Sequence, residues 1–330
     1  MKAAADWDRV RELLARHLGL DFPAERLPEL QRGFAAAARD AGLPDAGALA
    51  QRLLAALVPE PALLQPLARH LTIGETYFFR DPALMQALAR EVLPGLVRER
   101  RGRNQRLRIW SAGCSSGEEP YTLAILLHQL LPDLAQWQVS ILATDLNPAA
   151  LQKAREATYG EWSFRNVPQA LRDRYFGQRH GRYVLDPDLR RLVRFEPLNL
   201  VDEAWPCVQQ AQPPFDLIVC RNVLMYFRAQ QARGVLVRLQ DTLAEGGWLA
   251  LGPCEAQPAA TPRLRTHQIA GALLHRKSGM AVDATAGTAA APLRLRPARP
   301  RPLPLPAPSP LAGRADPVPA DLSRLAHPLA

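Results

Sequence analysis

From about residue 105 onward, short apolar segments alternate with longer segments whose apolar residues recur at helical spacing. The predicted strands lie at 107–111, 139–143, 192–195, 215–220 and 248–251, and the predicted helices lie at 121–131, 149–156 and 231–243. Alternation of this kind is typical of a doubly wound α/β fold with a largely parallel sheet. Because ligands of such sheets bind at the carboxyl ends of the strands, the residues that follow each strand are the candidates for function.

The regions on either side of this pattern differ from it. Residues 1–68 carry apolar residues at helical spacing, separated by Gly- and Pro-containing breaks, which predicts a small all-helical domain. Residues 278–330 are rich in Pro and Ala without periodicity, which is typical of a disordered tail or linker. The sequence therefore predicts a helical domain at 1–68, an α/β domain at 69–277 and a tail at 278–330.

Composition narrows the class of protein. The four cysteines form no CxxC pair and have no histidine cluster beside them, so neither a disulfide framework nor a metal site is expected. No apolar run approaches the roughly 18 residues of a membrane span, and the N-terminus lacks an apolar signal core, which predicts a cytoplasmic protein. The net charge of +9 suits an acidic partner, either a carboxylate-rich protein face or nucleic acid, although charge alone favours the alternative of solvated surface charge.

The most informative strand end is the segment Ser111-Ala112-Gly113-Cys114-Ser115-Ser116-Gly117-Glu118-Glu119-Pro120-Tyr121. Small residues allow the backbone to approach a ligand, but the segment has neither the GxGxxG pattern of dinucleotide sites nor the GK[ST] of phosphate loops. Glu118 and Glu119 would repel a phosphate, so a cationic ligand such as an ammonium group fits better. The alternative is an ordinary strand–helix turn with acidic residues at the start of the helix.

Polar residues also follow the other predicted strands. Asp145 is placed to accept hydrogen bonds from ribose hydroxyls, although Asp is also a common helix cap. The amide of Asn199, in the segment Pro197-Leu198-Asn199-Leu200, is placed to contact an adenine edge, although alone it would be read as a loop residue. Arg221, Asn222 and Tyr226 follow the strand at 215–220, where capping by surface residues is the alternative.

A further segment, Leu71-Thr72-Ile73-Gly74-Glu75-Thr76-Tyr77-Phe78-Phe79-Arg80-Asp81, precedes the α/β region. Its consecutive aromatic residues are consistent with packing between two domains. Domain packing does not explain Thr76 and Arg80, which makes both of them candidate site residues.

Taken together, these segments resemble the chemoreceptor methyltransferase (CheR) family over residues 8–277. The TYFFR, SAGCSSGEEPY, ATD, PLNL and FDLIVCRNVLMYF segments occur in the order typical of that family. The resemblance implies an N-terminal helical domain, followed by a class I (Rossmann-like) methyltransferase domain with a small inserted β-subdomain, here at about 175–195. It also implies methyl transfer from S-adenosylmethionine to glutamates on the cytoplasmic helix bundle of a methyl-accepting chemoreceptor, with neither nucleic-acid binding nor membrane insertion.

The resemblance assigns roles residue by residue. It places Arg80 and Tyr226 in the catalytic site and makes Gly74, Thr76, Arg80, Glu118, Asp145, Asn199, Leu200, Arg221 and Asn222 cofactor-binding residues. Within that set, Glu118 faces the methionine end, Asp145 the ribose, and Asn199 and Leu200 the adenine. Two departures stand out: many members have Asn where this chain has Gly74, and the GHSE common in the family is here Gly252-Pro253-Cys254-Glu255.

The hairpin within 175–195 bears on how a receptor is found. Some members capture a peptide at the receptor's C-terminus by strand addition, and these have a longer, Gly-containing loop in this hairpin. The turn here, around His180-Gly181, is short, which predicts a tether-independent enzyme that docks through basic segments such as 98–108 and 190–194. The alternatives are a methyltransferase for another acceptor, such as an RNA base, and a non-catalytic module that senses the cofactor.

Overall fold

The computed structural model describes residues 6–56, 60–255 and 263–278. All of them belong to one compact unit, Met1–Val282, whereas the second unit, Asp283–Ala330, lies outside the described residues, as does nearly all of the predicted tail. Within the described ranges, no helix combines the length and the apolar character that crossing a bilayer requires.

Four helices form the N-terminal layer. They are α1 (Trp7–Leu18), α2 (Leu27–Asp40), α3 (Ala46–Ala55) and α4 (Pro61–Leu71). The helix starts follow from capping, because the side chain of Asp6 accepts a hydrogen bond from Arg9 N and that of Asp45 accepts one from Ala48 N. Gly19 ends α1 with a φ of 72°, a conformation that favours glycine. Apolar residues on the inner faces of all four helices, including Leu14, Leu30, Leu49 and Leu67, form their shared core.

The α/β region is built on a seven-stranded sheet. Its strands are β1 (Arg106–Ala112), β2 (Gln138–Asp145), β6 (Val193–Pro197), β7 (Phe215–Cys220), β8 (Leu243–Leu251), β9 (Leu264–Ile269) and β10 (Ala272–Lys277). They lie in the order β6-β2-β1-β7-β8-β10-β9, and the first five are parallel while β10 and β9 are antiparallel. The predicted α/β fold with a largely parallel sheet is therefore confirmed.

The remaining helices cover this sheet or connect its strands. They are α5 (Pro82–Ala87), α6 (Leu93–Arg100), α7 (Glu118–Leu130), α8 (Pro148–Glu156), α9 (Gln169–Tyr175), α10 (Pro187–Arg190), α11 (Pro206–Gln210) and α12 (Ala229–Thr242). A π-helical turn at Leu88–Val92 joins α5 to α6. The parallel connections bring the ends of β1, β2, β6 and β7 to one edge of the sheet.

A second, antiparallel sheet has three short strands, β3 (Thr158–Tyr159), β5 (Arg182–Leu185) and β4 (Phe176–Arg179), in that order. The segment 175–195, expected to hold the inserted sheet, supplies β4 and β5, whereas β3 precedes it and β6 joins the large sheet. His180 and Gly181 alone connect β4 to β5, and both have positive φ, as a two-residue hairpin turn requires.

The N-terminal layer is attached to the loops at the carboxyl edge of the large sheet. Asn199 Nδ2 donates to His17 O at 2.7 Å, and Gln231 Nε2 donates to Ala15 O at 2.6 Å. Arg228 pairs with both Glu12 and Asp21, at 2.9 and 3.2 Å. The end of α1 therefore lies over the strand ends, where a ligand is expected.

Candidate functional site

A cavity of about 250 Å³ opens at the carboxyl edge of the large sheet. The N-terminal layer contributes Leu18, Leu20 and Leu71 to its wall, so both parts of the described chain enclose it. The sequence-predicted site residues that line it are Gly74, Thr76, Arg80, Asp145, Asn199, Leu200, Arg221, Asn222 and Tyr226. Glu118 is the one residue of that set that does not line it.

Gly113 allows the loops of the cavity to close on each other. Its φ is 79°, and a Cβ built on it would lie 2.2 Å from Val223 Cγ2. A side chain at this position would therefore separate the turn after β1 from the loop after β7. The small residues that the sequence shows at this turn serve this close approach.

Asp145 lies at the end of β2, where two backbone N–H groups fix its carboxylate. Oδ2 accepts from Ser115 N and Oδ1 from Asn147 N, both at 2.8 Å. Burial raises the pKa of Asp145 above its usual value, and these two hydrogen bonds oppose that rise. Each oxygen keeps a further lone pair for a hydroxyl donor from a ligand.

The two glutamates at the start of α7 have different surroundings. Glu118 accepts hydrogen bonds from Ser116 Oγ at 2.7 Å and from Ser163 Oγ at 3.0 Å, which hold its carboxylate away from the cavity. Glu119 lines the cavity and accepts a hydrogen bond from Ser111 Oγ at 2.7 Å. Burial raises the pKa of Glu119, while nearby Arg221 lowers it. Of the two glutamates, Glu119 is therefore the one whose carboxylate lies at the cavity.

Arg221 is a buried cation between two acids. Its guanidinium lies 3.2 Å from Asp81 Oδ2 and 3.3 Å from Glu119 Oε2, and it also donates to Arg80 O at 3.4 Å. Its Nε is buried and has no hydrogen-bond partner among the described residues. An acceptor on a bound ligand would satisfy this N–H, since buried donors without partners are costly.

Asn199 and Leu200 form part of the wall beneath α1. Both amide N–H groups of Asn199 are engaged, one with His17 O at 2.7 Å and the other with Asp202 Oδ1 at 2.9 Å. One of its side-chain donors therefore attaches the N-terminal layer, and the other stays within its own loop. Leu200 is buried and supplies an apolar surface to the cavity.

Arg80 and Tyr226 both line the cavity. Arg80 Nη1 donates to Glu75 O at 2.6 Å, and its other N–H groups have no hydrogen-bond partner among the described residues. The backbone of Tyr226 is fixed by a hydrogen bond from Asp21 N to its carbonyl at 2.8 Å, and its side chain packs against the core of the N-terminal helices. Thr76 and Gly74 lie on the same wall, and Gly74 O accepts from Ser115 Oγ at 3.0 Å.

Glu255 is a site residue that the sequence reasoning missed. Its buried carboxylate accepts hydrogen bonds from four backbone N–H groups, and three of them belong to the loop after β7: Asn222 at 2.8 Å, Val223 at 2.6 Å and Met225 at 3.3 Å. The fourth is Gly252 N at 2.8 Å. Glu255 thus fixes the loop that carries Asn222 and Tyr226. The sequence signal for this role was that Glu255 keeps the final Glu of the GHSE pattern common in the family.

These groups fit a ligand with a cationic part, neighbouring hydroxyls and a flat apolar ring. Glu119 and Asp145 offer carboxylate acceptors, and Arg221 offers a buried donor. The apolar residues that line the cavity include Leu18, Leu20, Leu71, Leu198 and Leu200.

Comparisons with known proteins match this geometry. Residues 74–270 match the family described as CheR methyltransferase, SAM binding domain. The chain is 39% identical over 194 residues to chemotaxis protein methyltransferase 2 of Vibrio cholerae, covering 58% of this chain and 66% of that protein. It is 34% identical over 259 residues to chemotaxis protein methyltransferase 1 of Pseudomonas aeruginosa, covering 77% of this chain and 91% of that protein.

Among solved structures, an rRNA methyltransferase from Streptomyces viridochromogenes aligns with a TM-score of 0.38 and 17% identity, over 64% of this chain and 88% of that one. A likeness at this level supports no conclusion about the acceptor.

Proposed function

The chain belongs to the CheR methyltransferase family, and we propose that it transfers a methyl group to the γ-carboxylate of glutamates on a methyl-accepting chemoreceptor. It is a methyltransferase, and its cofactor is S-adenosylmethionine. The products of the proposed reaction are a glutamate methyl ester and S-adenosylhomocysteine. The observation that carries the choice of a carboxylate acceptor is Arg80, a cation at the cavity whose guanidinium makes one hydrogen bond, to Glu75 O, within the described residues.

The cavity provides positions for each part of the cofactor. Glu119 is the proposed acceptor for its ammonium group, Asp145 for its ribose hydroxyls, and the unpartnered Nε of Arg221 the proposed donor to its carboxylate. Leu198 and Leu200 supply an apolar surface for the adenine. When bound, S-adenosylmethionine supplies a methyl group on a positively charged sulfur.

The chain's own residues have mainly to position the acceptor and exclude water. A glutamate carboxylate is already ionised at neutral pH, since its ordinary pKa is about 4.3, so no general base is needed. Arg80 is proposed to draw this carboxylate in and orient it, and the Tyr226 hydroxyl to fix its approach. The end of α1 closes the cavity through Leu18 and Leu20, which reduces access of water.

We further propose that receptor recognition needs no C-terminal tether. A two-residue turn joins β4 to β5, which supports this proposal because a long hairpin loop is absent there. The expected measurement is methylation of one receptor fragment with and without its C-terminal peptide, at low and moderate salt. Equal rates that fall with salt are expected, since direct docking through charged groups is screened; a strong requirement for the peptide contradicts the proposal.

The basic segments named as candidate docking contributors lie at the wrong edge of the sheet for this role. Residues 98–108 lead into β1 and residues 190–194 lead into β6, so both are at the amino ends of parallel strands, opposite the cavity. Many of their arginines already have partners: Arg100 pairs with Asp216, Arg101 with Asp133, and Arg191 with Asp188. The acceptor must therefore be recognised by other residues, closer to the cavity.

The function is tested by turnover of labelled S-adenosylmethionine with a panel of receptor cytoplasmic fragments. Base-labile methyl esters on glutamate are expected, and Arg80→Ala and Tyr226→Phe should each lower kcat by about tenfold or more while the protein stays folded. Arg103→Ala, an exposed arginine at the opposite edge of the sheet, is the control and should leave the rate unchanged. Methylation of RNA alone would establish the other acceptor class, and cofactor binding without any turnover would establish a sensing module.

A further inference from the structure

Two of the exposed apolar side chains of the described residues line the cavity. Five large hydrophobic side chains are exposed among the described residues: Ile73 (55%), Trp162 (68%), Met225 (54%), Val237 (40%) and Leu273 (46%). Ile73 and Met225 line the cavity itself. Grouping of this kind marks an interaction surface more often than chance exposure does, because single exposed apolar residues are normally scattered.

Trp162 is connected to the cavity wall through a stacked arginine. The guanidinium carbon of Arg165 lies 4.3 Å from the ring centroid of Trp162 and 3.5 Å from that of Tyr77, which lines the cavity. Glu75 holds Arg165 from the side, with Arg165 Nη2 3.0 Å from Glu75 Oε1. Trp162, Arg165 and Tyr77 therefore form a continuous stacked surface, here called the aromatic shelf, that extends outward from the cavity.

The aromatic shelf is rigidly held from behind. Ser163, next to Trp162, donates from its hydroxyl to Glu118 Oε1 at 3.0 Å, and its carbonyl accepts from Phe78 N at 3.0 Å. Glu118 belongs to α7, and Phe78 is fully buried. The carboxylate of Glu118, which does not line the cavity, thus fixes the segment that carries the aromatic shelf.

A helical acceptor segment fits the aromatic shelf because its side chains recur on one face at every third or fourth position. Ile73, Met225 and Tyr77 line the cavity, and Ile73 and Met225 are more than half exposed, so a glutamate that enters beside them would contact this rim. On a helix, the side chains three and four positions from that glutamate lie on the same face, about one turn away. Those side chains would reach the apolar rim and the shelf, and a further carboxylate on the same helix would face the guanidinium of Arg165.

We propose that Trp162 and Arg165 recognise the acceptor, by binding the amphipathic helix that carries the methylated glutamate one turn away from that residue. This inference rests on the proposed function, since it takes the acceptor to be a helical protein segment. The partner it requires has an apolar side chain and a carboxylate on the face that carries the acceptor glutamate. Trp162 and Arg165 then determine affinity for the acceptor and leave the cofactor site unchanged.

The test compares Trp162→Ala with Val237→Ala and Leu273→Ala, two exposed apolar residues that do not line the cavity. With a receptor fragment as substrate, Trp162→Ala should raise KM by about tenfold, as loss of an anchoring tryptophan does at an interface. Its kcat at saturating fragment and its affinity for S-adenosylhomocysteine should both stay within about twofold of the wild type. Both control variants should leave KM unchanged.

Trp162→Phe separates recognition from a purely structural role, because it keeps an aromatic face for Arg165 to stack on. It should restore most of the affinity for the fragment. An unchanged KM in Trp162→Ala overturns the inference while the proposed function stands, and a parallel loss of S-adenosylhomocysteine binding overturns it in favour of a structural role. If the wild-type enzyme methylates no receptor fragment, the proposed function and this inference fail together.

Discussion

At the residue scale, the carboxylate of Asp145 is fixed in place and still has lone pairs with which it can accept hydrogen bonds from a ligand. Its two oxygens already accept backbone N–H groups, and these contacts fix the carboxylate at the cavity with lone pairs to spare. A fixed acceptor of this kind needs no further ordering when a ribose binds, so it contributes its full hydrogen-bond energy.

Replacing Asp145 with Ala should therefore weaken binding of S-adenosylhomocysteine, as measured by calorimetry, by about 1.5–3 kcal/mol. Asp133→Ala is the matched control, because that carboxylate pairs with Arg101 on another part of the surface. An affinity equal to that of the control would remove Asp145 from the ribose role.

The raised pKa values of Asp145 and Glu119 give a second prediction. Burial is the largest cause for both, so in the ligand-free folded state each carboxyl takes up a proton at a higher pH than in the unfolded chain. A ligand that donates hydrogen bonds needs both groups ionised. Affinity for S-adenosylhomocysteine should thus be full at neutral pH and fall on acidification, starting above the ordinary carboxyl pKa values of about 3.9 and 4.3.

Calorimetry across this pH range checks the prediction, and Glu119→Gln should lose part of the dependence. The stability of the ligand-free protein changes with pH in the opposite direction to the affinity, because protonation of these two carboxyl groups favours the folded ligand-free state. Its free energy of unfolding should gain from these two groups as the pH falls through their raised pKa values. An affinity that stays constant down to the ordinary carboxyl range would contradict the assignment of both residues.

The sequence predicted which strand ends form the site, but not which way each side chain points. Glu118 and Glu119 are adjacent at the start of a helix, where one position is a rotation of about 100°, and both match the same pattern. What separates them is Ser163, 45 positions away, which takes up the carboxylate of Glu118. Asn199 likewise donates to a backbone carbonyl 182 positions earlier, and local patterns contain no such information.

At the scale of elements, the loop after β7 depends on one carboxylate. Glu255 accepts three N–H groups from that loop and one from Gly252, and Asn222 within the loop has a φ of 58°, which is uncommon for a residue with a side chain. The loop therefore relies on Glu255 for a conformation that it would not adopt alone.

Glu255→Gln should lower kcat about tenfold or more, because an amide nitrogen cannot accept hydrogen bonds and the loop that carries Tyr226 would shift. The free energy of unfolding should also fall, by about 1–3 kcal/mol. Asp216→Asn is the control: that buried acid lies near the other end of β7 and accepts from Arg108 N at 2.9 Å. It should lose comparable stability and keep its turnover below the melting temperature, whereas equal kcat in both variants would contradict the role of Glu255.

Strands with continuous apolar runs were the most predictable elements. β7 is buried along its whole length, and β1, β2, β6 and β8 each contain buried apolar residues that overlap a predicted strand. β9 was not foreseen, because most of its side chains are exposed and its sequence, Leu-Arg-Thr-His-Gln-Ile, is polar. β3 has two residues, too few for any period to appear.

At the scale of the whole molecule, the residues that enclose the cavity lie between Leu18 and Phe227. The family match ends at residue 270, before the Pro- and Ala-rich segment begins. Removal of residues 279–330 should therefore leave methylation of a receptor fragment, and affinity for S-adenosylhomocysteine, within about twofold of the full chain. A large loss of either in steady-state assays would show that this segment takes part in recognition or chemistry.

The attachment of α1 to the carboxyl edge of the sheet also sets the order in which the enzyme matures in the cell. Glu12 and Arg228, which pair there, are 216 positions apart. At a synthesis rate of about 5–20 residues per second, the first helix leaves the ribosome roughly 10–40 s before its docking surface exists. The buried core of the N-terminal helices, which includes Leu18 and Leu20, is complete in sequence by Leu71, so this layer can fold before the strand ends that it later covers have been synthesised.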